Sequence, residues 1–373
     1  MLPRLSVFLL YRFTVSRYHG LTVLRSHGLS FLSLLCGLLF YGCSTFHYIK
    51  VESQYPAAIS FPEELSRVLI VNNALPQDTV PFESDFRVVP DTVVFKADSA
   101  AFDFCRVLGE ELAQFQSFDD VRLLEGCFRK DDSPLSAVML QPEDVKRLTE
   151  EHGVDVVISL DRLLFKVNEY MHTISVLDMF GVVDIYVTGV LRVYTPDRQT
   201  PLTSILVTDT IKPDLWLTWN DMTLGDVAYL VDINELIRQS AEYVGYEARK
   251  DFIPYWNQDV RWFYSSIGTK WQEASAYAKA DRWDEALAIW KELDTQAKSW
   301  KQKARLASNI ALGEELTGHL DRAYTSAEQA YRLMLDHLGE SDKTVKKQEV
   351  YLKVLAARMS ESSRLQFQLK SNH

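Results

Sequence analysis

The chain has eight histidines, none in a His-x-x-x-His pair or beside a cysteine, so no zinc-ligand spacing is present. His172 near Asp178 would give a base with an orienting carboxylate, but an ordinary polar loop explains the same residues. The sequence has no Gly-x-Ser-x-Gly elbow, no Walker loop and no dinucleotide fingerprint. Two polar pairs follow apolar runs. Asn72-Asn73 closes Val68-Leu69-Ile70-Val71, where α/β folds often hold ligands, although turn formation accounts for it too. Asp161-Arg162 follows Val156-Val157-Ile158-Ser159-Leu160 and reads as a structural ion pair. The expectation is a non-enzymatic protein with no catalytic residues, no metal site and no cofactor.

Two residue types remain. All eight tryptophans fall between Trp216 and Trp300. Some of them fill a helical core, and Trp216, Trp219, Trp256 and Trp262 are the candidates for a binding surface, because large rigid aromatics anchor protein and sugar ligands. Of the four cysteines, Cys36 lies in an apolar run and Cys43 ends it, leaving Cys105 and Cys127 in the body. In an oxidising compartment these two would form a disulfide; the competing reading is two free thiols buried as small hydrophobes.

The start of the chain bears on location. Arg25 and His27 precede an apolar run from Leu29 to Tyr41, followed by Gly42-Cys43-Ser44. A basic region, a short apolar stretch and a small residue at the cut describe a secretory signal. The run is shorter than the roughly 20 residues a membrane span needs. Gly-Cys-Ser resembles the lipobox of bacterial lipoproteins, which implies lipid attachment at Cys43, though Phe40 and Tyr41 depart from the usual pattern. The first 42 residues carry four arginines and no acid. Without them, 36 basic residues face 51 acidic ones, a formal charge of −15 in place of −11. So acidic a body is repelled by phosphate backbones, and nucleic-acid binding is not expected.

The elements that would position these residues can be read from periodicity. Residues 44 to about 66 read as a tether. Arg67 to Asn73 is a strand, Ser99 to about Ser117 a helix with Phe102, Cys105, Leu108, Leu112 and Phe115 on its apolar face, and Val121 to Leu124 a short strand. Pro142 opens a helix that ends at Gly153, and the strand from Val154 runs on toward Tyr170. Val183, Ile185 and Val187 alternate on one strand and Ile205, Val207 and Asp209 on the next; a helix from about Asp226 to Lys250 closes the domain. The order of strands and helices over about 65–211 resembles the α/β domain of the Tol-system translocation protein and of curli-secretion lipoproteins.

A closer resemblance is to an uncharacterised lipoprotein family of the Bacteroides group. It is carried by the Cys43 region, Phe61-Pro62, Val68 to Asn73, Ser159-Leu160-Asp161-Arg162 and Pro254-Tyr255-Trp256. Beyond Trp256 the composition favours helix. Ala274 to Tyr277 with Arg282 to Trp290 resembles one tetratricopeptide repeat, and His319-Leu320-Asp321-Arg322-Ala323 begins a weaker copy in which Glu314 stands where the repeat has an aromatic. From Ala286 to Ala323 is 37 residues, against a family period of about 34. Tyr277, Ala286 and Trp290 are expected to be buried together, and a helical tail from Lys343 to cap the stack.

The fold class expected is α+β: an α/β domain with a mixed sheet and an antiparallel meander, then a tetratricopeptide-like helical domain. Its segments are a signal peptide at 1–42, a tether at 43–66, the α/β domain at 67–252 and the helical domain at 253–373. The expected role is a lipid-anchored cell-envelope protein, at the outer membrane facing the periplasm, that binds another envelope protein through its repeats and aromatic junction. A glycan-binding lipoprotein using exposed tryptophans is the alternative, and an enzyme of unknown type the third.

Overall fold

The computed structural model describes residues 46–370 apart from 63, 78, 85–91, 94–98, 116–117, 132, 174–178, 213–216 and 219–232. The signal segment, Cys43, Trp216, Trp219 and Asp178 lie outside the described residues, as does the side chain of His172.

In chain order the elements are β1 (Phe46–Tyr55), β2 (Arg67–Asn72), β3 (Val80–Ser84), β4 (Thr92–Val93), α1 (Ala100–Ala113), β5 (Asp120–Cys127), α2 (Pro142–His152), β6 (Val156–Thr173), β7 (Met179–Tyr194), β8 (Thr203–Ile211), β9 (Leu217–Thr218), α3 (Ile233–Ala248), β10 (Tyr255–Tyr264), α4 (Thr269–Lys279), α5 (Trp283–Gln296), α6 (Trp300–Leu316), α7 (Leu320–Leu338) and α8 (Lys343–Lys370). The protein is α+β, with a mixed sheet followed by a run of helices. The chain packs into two compact units. The larger, here the sheet unit, comprises Lys50–Val260 with Lys353–His373, and the smaller, the helical unit, comprises Arg261–Leu352 with the segment ending at Ile49.

In the sheet unit β6 is the central strand, pairing with β2, β3 and β7, and β2 runs parallel to β6 on one side and to β5 on the other. The side chains of β2 alternate between two cores. Val68 and Ile70 join Phe104, Cys105, Leu108 and Leu112 of α1, while Leu69 and Val71 join Val145 and Leu148 of α2. Helices therefore cover both faces, which is why β2 reads as an unbroken apolar run. Helix α2 stops where expected, at Gly153, whose φ of 62° a residue without Cβ adopts freely. The antiparallel partner β7 extends β6, with Val183, Ile185 and Val187 all turned into the core, and β8 pairs beyond it.

One position of the α1 face needs correction, since Cys105, Leu108 and Leu112 are buried as expected. The buried aromatic is Phe104 rather than Phe102, and the helix ends at Ala113. Helix α3 crosses α1 at Gly245, where an added Cβ would lie 2.6 Å from the Phe104 carbonyl oxygen. Backbone atoms cannot rotate aside, so Gly245→Ala is expected to destabilise by about 1–3 kcal/mol. Thermal unfolding of the full chain measures this, and an unchanged midpoint would rule out so close a crossing.

The stretch read as a tether contains a strand: residues 46–55 form β1, which pairs with β10 in a two-stranded sheet. Strand β10 likewise occupies residues read as the start of the helices. Asn309 explains how β10 ends. Fully buried on α6, its side-chain oxygen accepts from Tyr264 N–H at 2.7 Å and its amide donates to Tyr264 O at 2.8 Å, as a neighbouring strand would.

The helical unit repeats one hairpin. Arg282 N–H bonds Tyr277 O and His319 N–H bonds Glu314 O, the same six-to-one closure 37 residues apart. Asp281 (φ 56°) and Gly318 (φ 83°) occupy the left-handed position in each turn. Ala286 and Ala323 are fully buried after their turns, where adjacent helices leave room only for small side chains. Trp290 is fully buried as expected; Tyr277 is only half-buried and lies under the Arg282 guanidinium.

Glu314, at the position where the repeat has an aromatic, is buried and clasps three helices: Lys291 of α5, Arg322 Nε of α7 at 2.9 Å and its own α6. Burial pushes its pKa up, but the hydrogen bonds from Lys291 and Arg322 outweigh that and hold it below the usual carboxylate value. A depressed pKa means this stabilisation is complete above the unfolded value, about 4.5, and is lost as pH falls through the folded one. Glu314→Gln should therefore lower the melting temperature at pH 7 and flatten its fall below about pH 4.5. An acid limb as steep as that of the wild type would remove Glu314 from this role.

Candidate functional site

At the carboxyl ends of β2 and β5 a cleft of about 560 Å³ opens, lined by Asn73, Cys127, residues 128–130 and residues 138–141. Helices α1 and α2 leave from opposite faces of the sheet here, the arrangement that produces a crevice at strand ends. One wall is the end of the loop 133–140, through Val138, Met139 and Leu140. The loop has no regular structure, yet side chains tie its backbone down at almost every step. Arg129, its side chain 4% exposed, donates to Ser133 O at 2.8 Å and Ser136 O at 2.6 Å while its Nε pairs with Asp131. Arg162 reaches Leu135 O, Arg192 reaches Ala137 O at 3.2 Å, and Asn73 Nδ2 reaches Val138 O at 2.9 Å. Leu140 N–H donates to Tyr194 Oη at 3.2 Å.

Asp161 organises these donors. Its carboxylate is inaccessible and accepts from Asn73 Nδ2 (2.9 Å), Ser159 Oγ (2.6 Å), Arg192 Nη1 (2.5 Å) and Tyr194 Oη (3.2 Å). The ion pair is thus Asp161–Arg192, not Asp161–Arg162. Asp161 is the extra residue of a β-bulge, since Leu160 faces Leu191 and Arg162 already faces Val190. The bulge puts Leu160 and Asp161 both inside, breaking the alternation. Burial and the neighbouring carboxylate raise the Tyr194 pKa, so its hydroxyl stays protonated and can donate.

These groups are committed to each other, and the chemistry left for a partner is mostly apolar. The loop that they hold exposes Leu135 (65%) and Met139 (50%), with Val138 beside them. A rigidly held loop presenting bare aliphatic side chains has already lost the conformational entropy that binding would otherwise cost. The run Leu135-Ser136-Ala137-Val138-Met139-Leu140, apolar yet lacking helical or strand period, is the sequence signal for it.

Cys105 and Cys127 are free thiols in the structure, as in the second of the two readings and not the disulfide, although only Cys105 is buried. Cys105 is wholly inside the α1 core, whereas Cys127, past a register shift at the end of β5, is exposed at the cleft with its thiol on Ala74 O at 3.6 Å. Burial raises the Cys127 pKa more than Arg129 lowers it, so this is a protonated thiol rather than a nucleophile. Among the described residues no cluster of His, Cys, Asp or Glu could hold a metal ion. No described helix is long and apolar enough to cross a membrane. Trp256 is 63% exposed on β10; Trp262, in the other unit, packs edge-on to Tyr351 with Lys347 Nζ 4.2 Å from its ring centre. Trp271 and Trp290 are core residues of the helical unit.

A family model described as a domain of unknown function (DUF8603) matches residues 65–264, and another so described (DUF6340) matches residues 272–357. No curated protein matches the sequence. Similar solved structures include a neuraminyllactose-binding hemagglutinin homolog from Helicobacter pylori, 14% identical over 50% of this chain and 83% of that one with a TM-score of 0.26. The PelC dodecamer from Paraburkholderia phytofirmans is 10% identical over 55% of this chain and 97% of that one with a TM-score of 0.23.

Proposed function

The chain belongs to the DUF8603 family, whose model spans more than half of it, and from that premise we propose a non-enzymatic, lipid-anchored envelope protein that binds another protein. The observation that carries this reading is the loop 133–140: five backbone carbonyls and one amide are held by side-chain hydrogen bonds, three of the five side chains (Asn73, Arg129 and Tyr194) being buried, and the product is a braced apolar surface. Such a surface suits a protein partner, whose interface cores are apolar and well packed. The duplicated helical hairpin, tetratricopeptide-like in its turn and its small residues, supports the same role, because stacked repeats build extended protein-binding faces.

The anchor is Cys43, whose thioether would carry the acyl chains of a Bacteroides-type lipoprotein and place the body at the outer membrane, facing the periplasm. Several chains hold firmly because each buried methylene contributes about 0.8 kcal/mol. The exposed aliphatics permit a direct test, since replacing them leaves the buried network alone. Full-length protein with Leu135→Asp and Met139→Asp should keep its melting temperature and lose the partners that wild type captures from solubilised envelopes. Identical capture by both proteins would refute the loop as the binding surface. Cys43→Ala should move the protein to the soluble fraction, and retention in the membrane would refute the anchor.

Glycan binding is the second reading, favoured by the exposed ring of Trp256 on β10. Trp256→Ala would abolish retention on a glycan array if it holds.

A further inference from the structure

Inside the helical unit a second pocket, of about 260 Å³, opens between β10, α6, α7 and the start of α8. Three rings, Phe46, Tyr264 and Trp300, line it together with the aliphatic ends of Met334 and Leu338. Arg305 of α6 enters the same space. Most arginines described in this chain end on a carboxylate or a carbonyl, but Arg305 makes no hydrogen bond or ion pair among the described residues. Its guanidinium carbon lies 5.7 Å from the Tyr264 ring centre, its one aromatic contact. It is also half-buried, and a guanidinium partly withdrawn from water without an anionic partner carries a desolvation cost.

The other charged groups at the pocket are Asp342 and Lys301. Asp342 caps α8, its Oδ1 accepting Thr344 N–H at 2.7 Å, and is not paired with Arg305. Lys301 is exposed and adds positive charge at the rim. The pocket thus combines a half-buried guanidinium fork, which matches a carboxylate in two-point geometry, with an aromatic wall. Its volume is below the roughly 300 Å³ at which drug-sized sites begin, and suits one side-chain-sized group.

We propose that this pocket binds a small apolar carboxylate, with the carboxylate on Arg305 and the apolar body against Tyr264, Trp300 and Phe46. Burial pulls the Arg305 pKa down and Tyr264 offsets part of this, as expected of a cation lacking its anion. The same chemistry is offered by a free aromatic acid and by the carboxyl-terminal residue of a peptide. This site shares no residue with loop 133–140, so either assignment can fail without the other.

The test is titration of the full chain by calorimetry with four probes: 3-phenylpropionate, N-acetyl-phenylalanine, N-acetyl-phenylalanine amide and inorganic phosphate. Saturable binding of either carboxylate, with the amide at least about tenfold weaker, is the expected result. Phenylpropionate alone would assign a free acid, and acetyl-phenylalanine alone a peptide end. Arg305→Gln should lose at least about tenfold in affinity, and Arg305→Lys should retain part of it. Trp300→Ala, which keeps the charge and removes a wall, should also weaken binding, and it keeps the test open should Arg305→Gln misfold. Equal binding of acid and amide, binding of phosphate alone, undiminished affinity in a folded Arg305→Gln or Trp300→Ala, or no saturation by either acid below about 10 mM would overturn the proposal.

Discussion

Glu315→Ala is expected to destabilise the protein by about 3–5 kcal/mol, enough to unfold a marginal domain at physiological temperature. The Glu315 side chain is fully buried on α6, where Arg261 of β10, 6% exposed, donates to it through Nε at 3.1 and 3.2 Å and through Nη2 at 3.0 Å. Tyr351 of α8 adds its hydroxyl at 2.7 Å. Removing the carboxylate takes away the charge that faces Nε and Nη2 of a buried guanidinium, and that desolvation, more than the lost attraction, sets the size of the effect. The double variant Arg261→Met, Glu315→Leu removes both charges and should recover much of the loss. Denaturant unfolding of all three proteins measures this. A single-variant loss below about 1 kcal/mol, or a double variant no better than Glu315→Ala, would show that the pair is not desolvated as the structure has it.

Asp161→Ala should cost a similar 3–5 kcal/mol and also abolish partner capture by loop 133–140. It strands Arg192, Tyr194, Ser159 and one Asn73 hydrogen at once, all of which now point at its carboxylate. Asp161→Asn is milder in charge but still mismatched, because one amide end donates where an acceptor is required. Hydrogen exchange gives a local readout: Leu140 N–H, held by Tyr194 Oη, should exchange much faster in either variant than in wild type. Unchanged Leu140 protection in a folded Asp161→Asn would mean that the loop is held without the carboxylate.

What the sequence determined by itself was everything set by short-range periodicity. The apolar run Val68–Val71 gives a strand because both faces meet helices, and the alternation Val183, Ile185, Val187 gives one with a single buried side. Gly153 ends α2 because its backbone angle favours a residue without Cβ, and the small residues Ala286 and Ala323 mark helix crossings 37 residues apart. Each depends on residues a few positions away, so it is written locally. On α1, Phe102 and Phe104 are equally apolar in sequence, and packing alone shows that it is Phe104, against whose backbone Gly245 of α3 lies, that is buried.

The tertiary structure decided the polar partnerships. Asp161 was visible beside Arg162, yet its partner is Arg192, 31 residues on, because a bulge in β6 turns the aspartate inward and only the register with β7 shows it. Glu314 looks like a defect in the repeat until Lys291 and Arg322 arrive from neighbouring helices, and β1 is a strand only because β10 pairs with it. A charge or a strand edge carries no record in its own neighbourhood of what will satisfy it. Loop 133–140 and the Arg305 pocket therefore emerge only once chain segments far apart in sequence have packed, since hydrogen bonds and ion pairs are satisfied in space rather than along the chain.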